Sequence, residues 1–369
     1  MTLVGIAGCT ALLLVAFGLR DSISDIIDNQ WPAISHYDYI VGMTSDVSEE
    51  EADQINAELN QVGATNIHRI TRENVLLESP TQKAGSLTRT TIMTSNSLQD
   101  LTGLATLRNR LSGQAIELGE DSVVITEKLA KRLGVGVGDT IQVYAQDRIG
   151  NASGEPSTLT ITGVAENYVG SYLYVGPSAW HSLGIQDDAT DGWYATLPED
   201  QTTRDAFGEK LINQAGVATV DDVNEAIHTY KESLAVVNRV VAILIVAAAL
   251  LAFIVLYNLT NINIEERIRE IASLKVLGFT RHEVDAYVFR EIALLAVFGA
   301  LFGLVLGTCL EGFVVQTAEI DLVMFGRAIH APSYWFAFGL TLVFSLLVYV
   351  AMRPKLKNID MVESLKSVE

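Results

Sequence analysis

The residues whose types and spacing suggest a task lie between positions 261 and 307. Residues 261–291 read NINIEERIREIASLKVLGFTRHEVDAYVFRE. Ile264, Ile268, Ile271 and Ala272 recur at helical spacing and make one apolar face, while Glu265, Glu266, Arg269, Glu270 and Ser273 fill much of the other. Glu265 and Arg269 stand four apart with the acid first, a weakly favourable pair. Leu277-Gly278-Phe279 interrupts the pattern, and Gly278 predicts a C-cap; Thr280 then predicts the start of a second helix over 281–290. The chemistry this permits is recognition rather than bond-making. A short amphipathic helix either lies on lipid or fills a groove on a partner protein, and nearly equal numbers of acids and bases suit a protein groove better than an anionic surface.

Downstream, Gly299, Gly303 and Gly307 form a row with spacing four. Without side chains there, one helix face can approach a neighbouring helix closely, within the chain or across a dimer. Catalytic patterns do not emerge. The sequence has no G-x-x-x-x-G-K-[ST], no H-E-x-x-H and no close Cys/His cluster, and its six histidines are scattered. No catalytic residue, cofactor or metal site is expected. Cys9 and Cys309 sit in separate apolar runs and read as packing residues.

These segments are positioned by apolar runs. The 369 residues are 49% hydrophobic, with a mean hydropathy of +0.28, and four stretches, 1–19, 234–257, 292–310 and 334–352, are long enough to cross the roughly 30 Å hydrocarbon core of a bilayer as helices. Ile6-Ala7-Gly8-Cys9 resembles a lipoprotein cleavage box, but the apolar run continues ten residues beyond the cysteine, so 1–19 is read as a transmembrane helix and not a signal peptide. A chain opening directly in an apolar run is expected to be the C-terminal part of a longer polypeptide, or a reading frame with a late start.

Short-loop Lys and Arg set the orientation. Arg267, Arg269, Lys275, Arg281 and Arg290 lie in segment 258–291, and Arg353, Lys355, Lys357 and Lys366 in the tail 353–369, whereas the 311–333 loop holds only Arg327. Segment 258–291 and the C-terminus are expected in the cytoplasm, and 20–233 and 311–333 outside, in a plasma or inner membrane. The net charge of −19 is concentrated in the outer block, where residues 20–234 hold 32 acids and 14 Lys or Arg. That excess excludes nucleic acid as a partner, because phosphate binding needs clustered bases.

The 20–233 block predicts an α+β domain. Ser48-Glu49-Glu50-Glu51 fits a capping box opening a helix toward Gly63. Strands are predicted at 122–126, 140–146, 157–164 and 172–175, with a hairpin across the Gly150–Gly154 loop. Thr126 is expected to cap a helix over 127–133 that Gly134 ends, Gly138-Asp139 to make a turn, and 202–214 to be a helix. From 223 to 257 there is no Pro or Gly; one helix capped by Asp221 or Asp222 is predicted, with two helices joined at a kink as the alternative. The fold class is therefore a membrane α-helical protein with four transmembrane helices plus an extracytoplasmic α+β domain. Few charges lie within the runs, which argues against an ion or proton path.

Residues 266–278, ERIREIASLKVLG, resemble the E-R-x-R-E-I-[AG]-x-[LM]-[KR]-x-x-G signature of FtsX/MacB-type ABC permeases. The glycine row, the order of one helix, a large outer domain, three helices and a basic tail, the stretch LAKRLGVGVGD at 129–139 and the tail IDMVESL at 359–365 are similar to that family too, although the cytoplasmic stretch preceding the family's first helix is missing. The resemblance implies a permease subunit, not itself an enzyme, whose coupling helix sits against a separate cytoplasmic ABC ATPase. Carried over residue by residue, that helix comprises Glu266, Arg267, Arg269, Glu270, Ile271, Leu274, Lys275 and Gly278. It also implies work as a homodimer or with a second permease half, in efflux, extraction or mechanotransmission. The competing expectation is a membrane-anchored sensor or scaffold without ATP coupling.

Overall fold

The computed structural model describes residues 2–83, 85–147, 149–184, 190–318 and 323–357. The tail sequence at 359–365 lies outside the described residues, as does the Lys275 side chain. The chain forms two compact units, one of Met1–Ser24, Ser233–Glu319 and Phe325–Glu369, the other of Asp25–Glu232 and Ile320–Met324.

Among the described residues, four helices, lying wholly or mostly in the first unit, are long and apolar enough to cross a membrane. They are α1 (Thr2–Asn29), α7 (Val223–Glu266), α9 (Arg281–Ala318) and α10 (Ala331–Lys357). Each outruns its apolar run. Helix α1 continues through Arg20 and Asp21 instead of stopping there, because the Asp21 carboxylate is not left bare. It accepts hydrogen bonds from the His330 N–H (3.0 Å) and the Ser333 hydroxyl (2.6 Å), satisfying the first turn of α10. Helix α9 likewise continues past Leu310, so Glu311 belongs to a helix and not to the 311–333 loop. Helix α7 is one helix of 44 residues, the first of the two alternatives. Asp222 receives the Asn224 N–H at 2.9 Å at its start.

The second unit is built on one sheet of ten strands among the described residues. Strands β1 (Tyr39–Met43), β9 (Thr190–Thr196), β2 (Thr65–Glu78), β3 (Thr88–Thr94), β8 (Tyr172–Val175), β4 (Val123–Thr126) and β7 (Gly163–Ala165) run side by side, with β10 (Val217–Asp222) flanking β1. The hairpin of β5 (Thr140–Gln146) and β6 (Ala152–Thr160) attaches to β2. Pairs β3–β8 and β4–β7 are parallel and the rest antiparallel, the mixture expected of an α+β domain. Among the described residues, two apolar clusters lie against this sheet. One packs Val41 and Met43 of β1 and Trp193 of β9 against Ile55 of α2 (Glu49–Gln61) and Phe207 of α6 (Gln201–Leu211). The other packs Val75, Ile92, Ile125 and Leu173 against Leu129 and Leu133 of α4 (Glu127–Leu133).

The capping box forms as the sequence predicts: Ser48 Oγ accepts the Glu51 N–H and Glu51 accepts the Ser48 N–H. Gly134 ends α4 in the left-handed region, at φ +67°. Thr126 takes the N-cap position of α4 as predicted, but its side chain makes no cap hydrogen bond. Its hydroxyl accepts the Tyr172 N–H at 3.2 Å and so serves the neighbouring strand. The strand expected at 157–164 is two strands. Thr162 breaks it by bonding Val123 through both backbone and hydroxyl, which turns 163–165 into a parallel partner of β4. Residues 152–154, expected in a loop, already belong to β6, and the helix expected at 202–214 closes at Leu211.

Candidate functional site

Between two of the spanning helices lies the segment whose sequence suggested a partner. Helix α7 ends at Glu266, Arg267 forms a one-residue joint, and α8 (Ile268–Val276) follows. Ile264 and Ile271 are buried and belong to one apolar cluster with Val284 and Ile292 of α9 and Val348 and Met352 of α10; Leu274 packs at its edge. This anchors α8 through the apolar face the sequence predicts. Glu266, Arg269, Glu270 and Ser273 point outward and are exposed. Ile268 is only half-buried.

Arg267 does not join that outer row. It donates to the Glu291 carboxylate at the start of the third span, and this hydrogen bond raises the guanidinium above its ordinary value. Its place is the joint between α7 and α8, which the sequence reading, counting it with the docking face, did not separate.

The far end of α8 and the start of α9 are each capped. Gly278 adopts φ +91°, Phe279 N–H reaches back to the Leu274 carbonyl at 3.2 Å and Leu277 N–H to the Ser273 carbonyl at 3.0 Å, a left-handed closure that needs a residue without Cβ. Thr280 and Glu283 then make a reciprocal capping box for α9: the Thr280 N–H donates to the Glu283 carboxylate at 2.8 Å, and the Glu283 N–H donates to Thr280 Oγ1 at 3.4 Å. The tip between the caps is apolar and bare. Val276 is 62% exposed, Leu277 75% and Phe279 49%. The sequence marked Leu277 and Phe279 only as a break in periodicity; the signal for them was a pair of large apolar residues around a predicted cap, outside any span.

The glycine row is used within the chain. A Cβ at Gly299 would stand 2.9 Å from Ile6 Cβ, one at Gly303 2.6 Å from the Ala7 carbonyl oxygen, and one at Gly307 3.0 Å from Ala11 Cα. Helices α1 and α9 therefore touch backbone to backbone along this row. Among the described residues, no group of three or more His, Cys, Asp or Glu side chains is placed to hold a metal ion.

A sheeted α+β unit and a unit of long apolar helices in one chain define the class: a multi-pass membrane protein with a large folded domain. Residues 2–227 match the MacB-like periplasmic core domain, and residues 242–361 the FtsX-like permease C-terminal domain. The chain belongs to this family of MacB-like, FtsX-like permeases, which are components of ABC transporters. It is a multi-pass membrane protein. No curated protein sequence matches it. Among solved structures it is similar to the periplasmic region of MacB from Actinobacillus actinomycetemcomitans (11% identity, TM-score 0.32, covering 54% of this chain and 94% of that one). It is also similar to a permease domain from Porphyromonas gingivalis (16% identity, TM-score 0.27, covering 48% and 82%).

Proposed function

We propose that the chain couples ATP hydrolysis on a separate cytoplasmic ATPase to movement of its membrane helices and outer domain, in efflux, extraction or mechanotransmission. Segment 258–291 is the cytoplasmic docking element, 353–369 the cytoplasmic tail, and 20–233 with 311–333 the outer part. The functional assembly holds two permease copies or halves. The observation that carries this reading is the exposed apolar tip of Val276, Leu277 and Phe279, held between two capped helix ends, with Arg269 and Glu270 exposed at the other end of α8. A bare Leu and Phe beside mixed charge, on a short helix anchored from behind by Ile264 and Ile271, has the composition of a knob for a protein groove. Arg267 supports the knob by tying its base to Glu291.

The test is affinity capture of the full chain from native membranes in mild detergent. The wild type is expected to retain an ABC ATPase. Leu277→Asp, and Arg269→Glu combined with Glu270→Lys, are expected to lose it while remaining inserted and folded. Equal ATPase recovery by all three would reject the docking role of this segment; no ATPase with any of them would favour the sensor or scaffold.

A further inference from the structure

The glycine row of α9 has a fourth member. Gly299, Gly303, Gly307 and Glu311 stand at a constant spacing of four, and all four meet α1. The first three give close approach but weak register. A repeated small-residue row presents much the same surface after a slip of one turn, about 5.4 Å. Glu311 is different. It is 3% exposed, and its stem lies on the bare backbone of Gly18, where a Cβ would stand 2.7 Å from Glu311 Cγ. One turn further along α1, the fully buried Ser22 donates its hydroxyl to Glu311 Oε1 at 3.0 Å. Ser22 is itself fixed, its carbonyl accepting the Gly326 N–H at 3.0 Å.

We propose that Glu311 is a positioning residue that latches α1 to α9 in a single register, so that the two helices move as one body. Gly18, with no side chain, leaves room for the glutamate stem, and Ser22 one turn on meets its carboxyl. A one-turn slip toward the start of α1 would set the Glu311 stem against Leu14, apolar and fully buried, and its carboxyl against Gly18, where it would lose its donor. The glycines thus supply proximity and the glutamate supplies register. This inference does not rest on the ATPase reading and is tested without any partner.

The experiment places spin labels at Leu12 and Leu310, both exposed, in the full chain with Cys9→Ala and Cys309→Ala, reconstituted in bilayers and diluted with unlabelled chain so that only distances within one chain are read. The parent is expected to give one narrow distance, and so is Glu311→Gln, which keeps a carbonyl acceptor for Ser22. Glu311→Leu and Ser22→Ala are expected to broaden the distribution or add a second distance, and the double variant to go no further than either alone. Ser22→Ala, a loss of one oxygen, keeps the test open should Glu311→Leu fail to fold. The latch is overturned if Ser22→Ala keeps the parent's narrow distance, or if Glu311→Gln broadens it as much as Ser22→Ala.

Discussion

The two units bury charge in different ways. In the sheeted unit, Arg204 has no exposed side-chain surface, and opposite charge surrounds it. Its Nε and Nη2 each reach the Asp222 carboxylate at 2.7 Å, Nη2 also meets the Asp38 carbonyl and carboxylate, Nη1 donates to the Leu197 carbonyl, and the guanidinium stacks over the Tyr39 ring. In the helical unit, Glu311 and Asp21 are served by hydroxyls and a backbone N–H. The first arrangement is a bidentate charged network whose removal strands like charges together. The second satisfies carboxyl groups with neutral donors, which suits a unit whose surroundings are apolar. The difference teaches that the sheeted unit should be sensitive to loss of charge, and the helical unit to loss of shape and of hydrogen-bond acceptors.

The strongest way to break the comparison is Arg204→Ala. It leaves Asp38 and Asp222 facing each other with nothing between them, and should cost about 3–5 kcal/mol in thermal or denaturant unfolding. A loss below about 1 kcal/mol would mean that the network is ornamental. Next is shape. Gly303→Leu must push α1 off α9 and should lower stability by about 1–3 kcal/mol. Gly339→Leu, with nothing within 4 Å of its Cβ position, should stay within about 0.5 kcal/mol; similar melting shifts for the two would contradict the packing described for the glycine row.

A smaller effect sharpens the charged side of the comparison. Burial raises the Glu127 carboxyl, but hydrogen bonds from Arg110 and Lys131 outweigh it and bring the group from 4.5 down to about 2. A depressed carboxyl contributes stability above its unfolded value and loses it as pH falls. Part of the acid destabilisation between about pH 4.5 and 2 should therefore vanish in Glu127→Gln. Parallel melting-against-pH curves for the two proteins would count against this. The smallest effect is expected at Glu311→Gln, which keeps its acceptor and should melt within about 0.5 kcal/mol of the parent.

What was legible in the sequence follows the same division. Local, repeated or periodic signals survived folding: four apolar runs, the Ser48–Glu51 box, the Gly134 and Gly278 caps, the inward face of Ile264 and Ile271. What was not legible depends on partners distant in sequence. Nothing about Arg204 in a polar helix announces Asp38, 166 positions away. Thr126 offers the same hydroxyl to a helix start or to Tyr172, and only the sheet decides. The run boundaries at Leu19 and Leu310 were drawn where charge begins, yet Asp21 and Glu311 are held inside by Ser333 and Ser22, and both helices run on. Among the coupling residues, Glu266, Arg269 and Glu270 face outward as read, while Arg267 turns to Glu291, a partner 24 residues away.

The most direct test of the central claim places a photo-activatable cross-linking residue at Leu277 of the full chain in native membranes, with the same residue at Leu251 of α7 as control. The expected result is a cross-link from position 277 to an ABC ATPase and none from position 251. If position 277 yields only lipid, or the ATPase is captured equally from position 251, the segment between α7 and α9 is not the docking element and the coupling account fails.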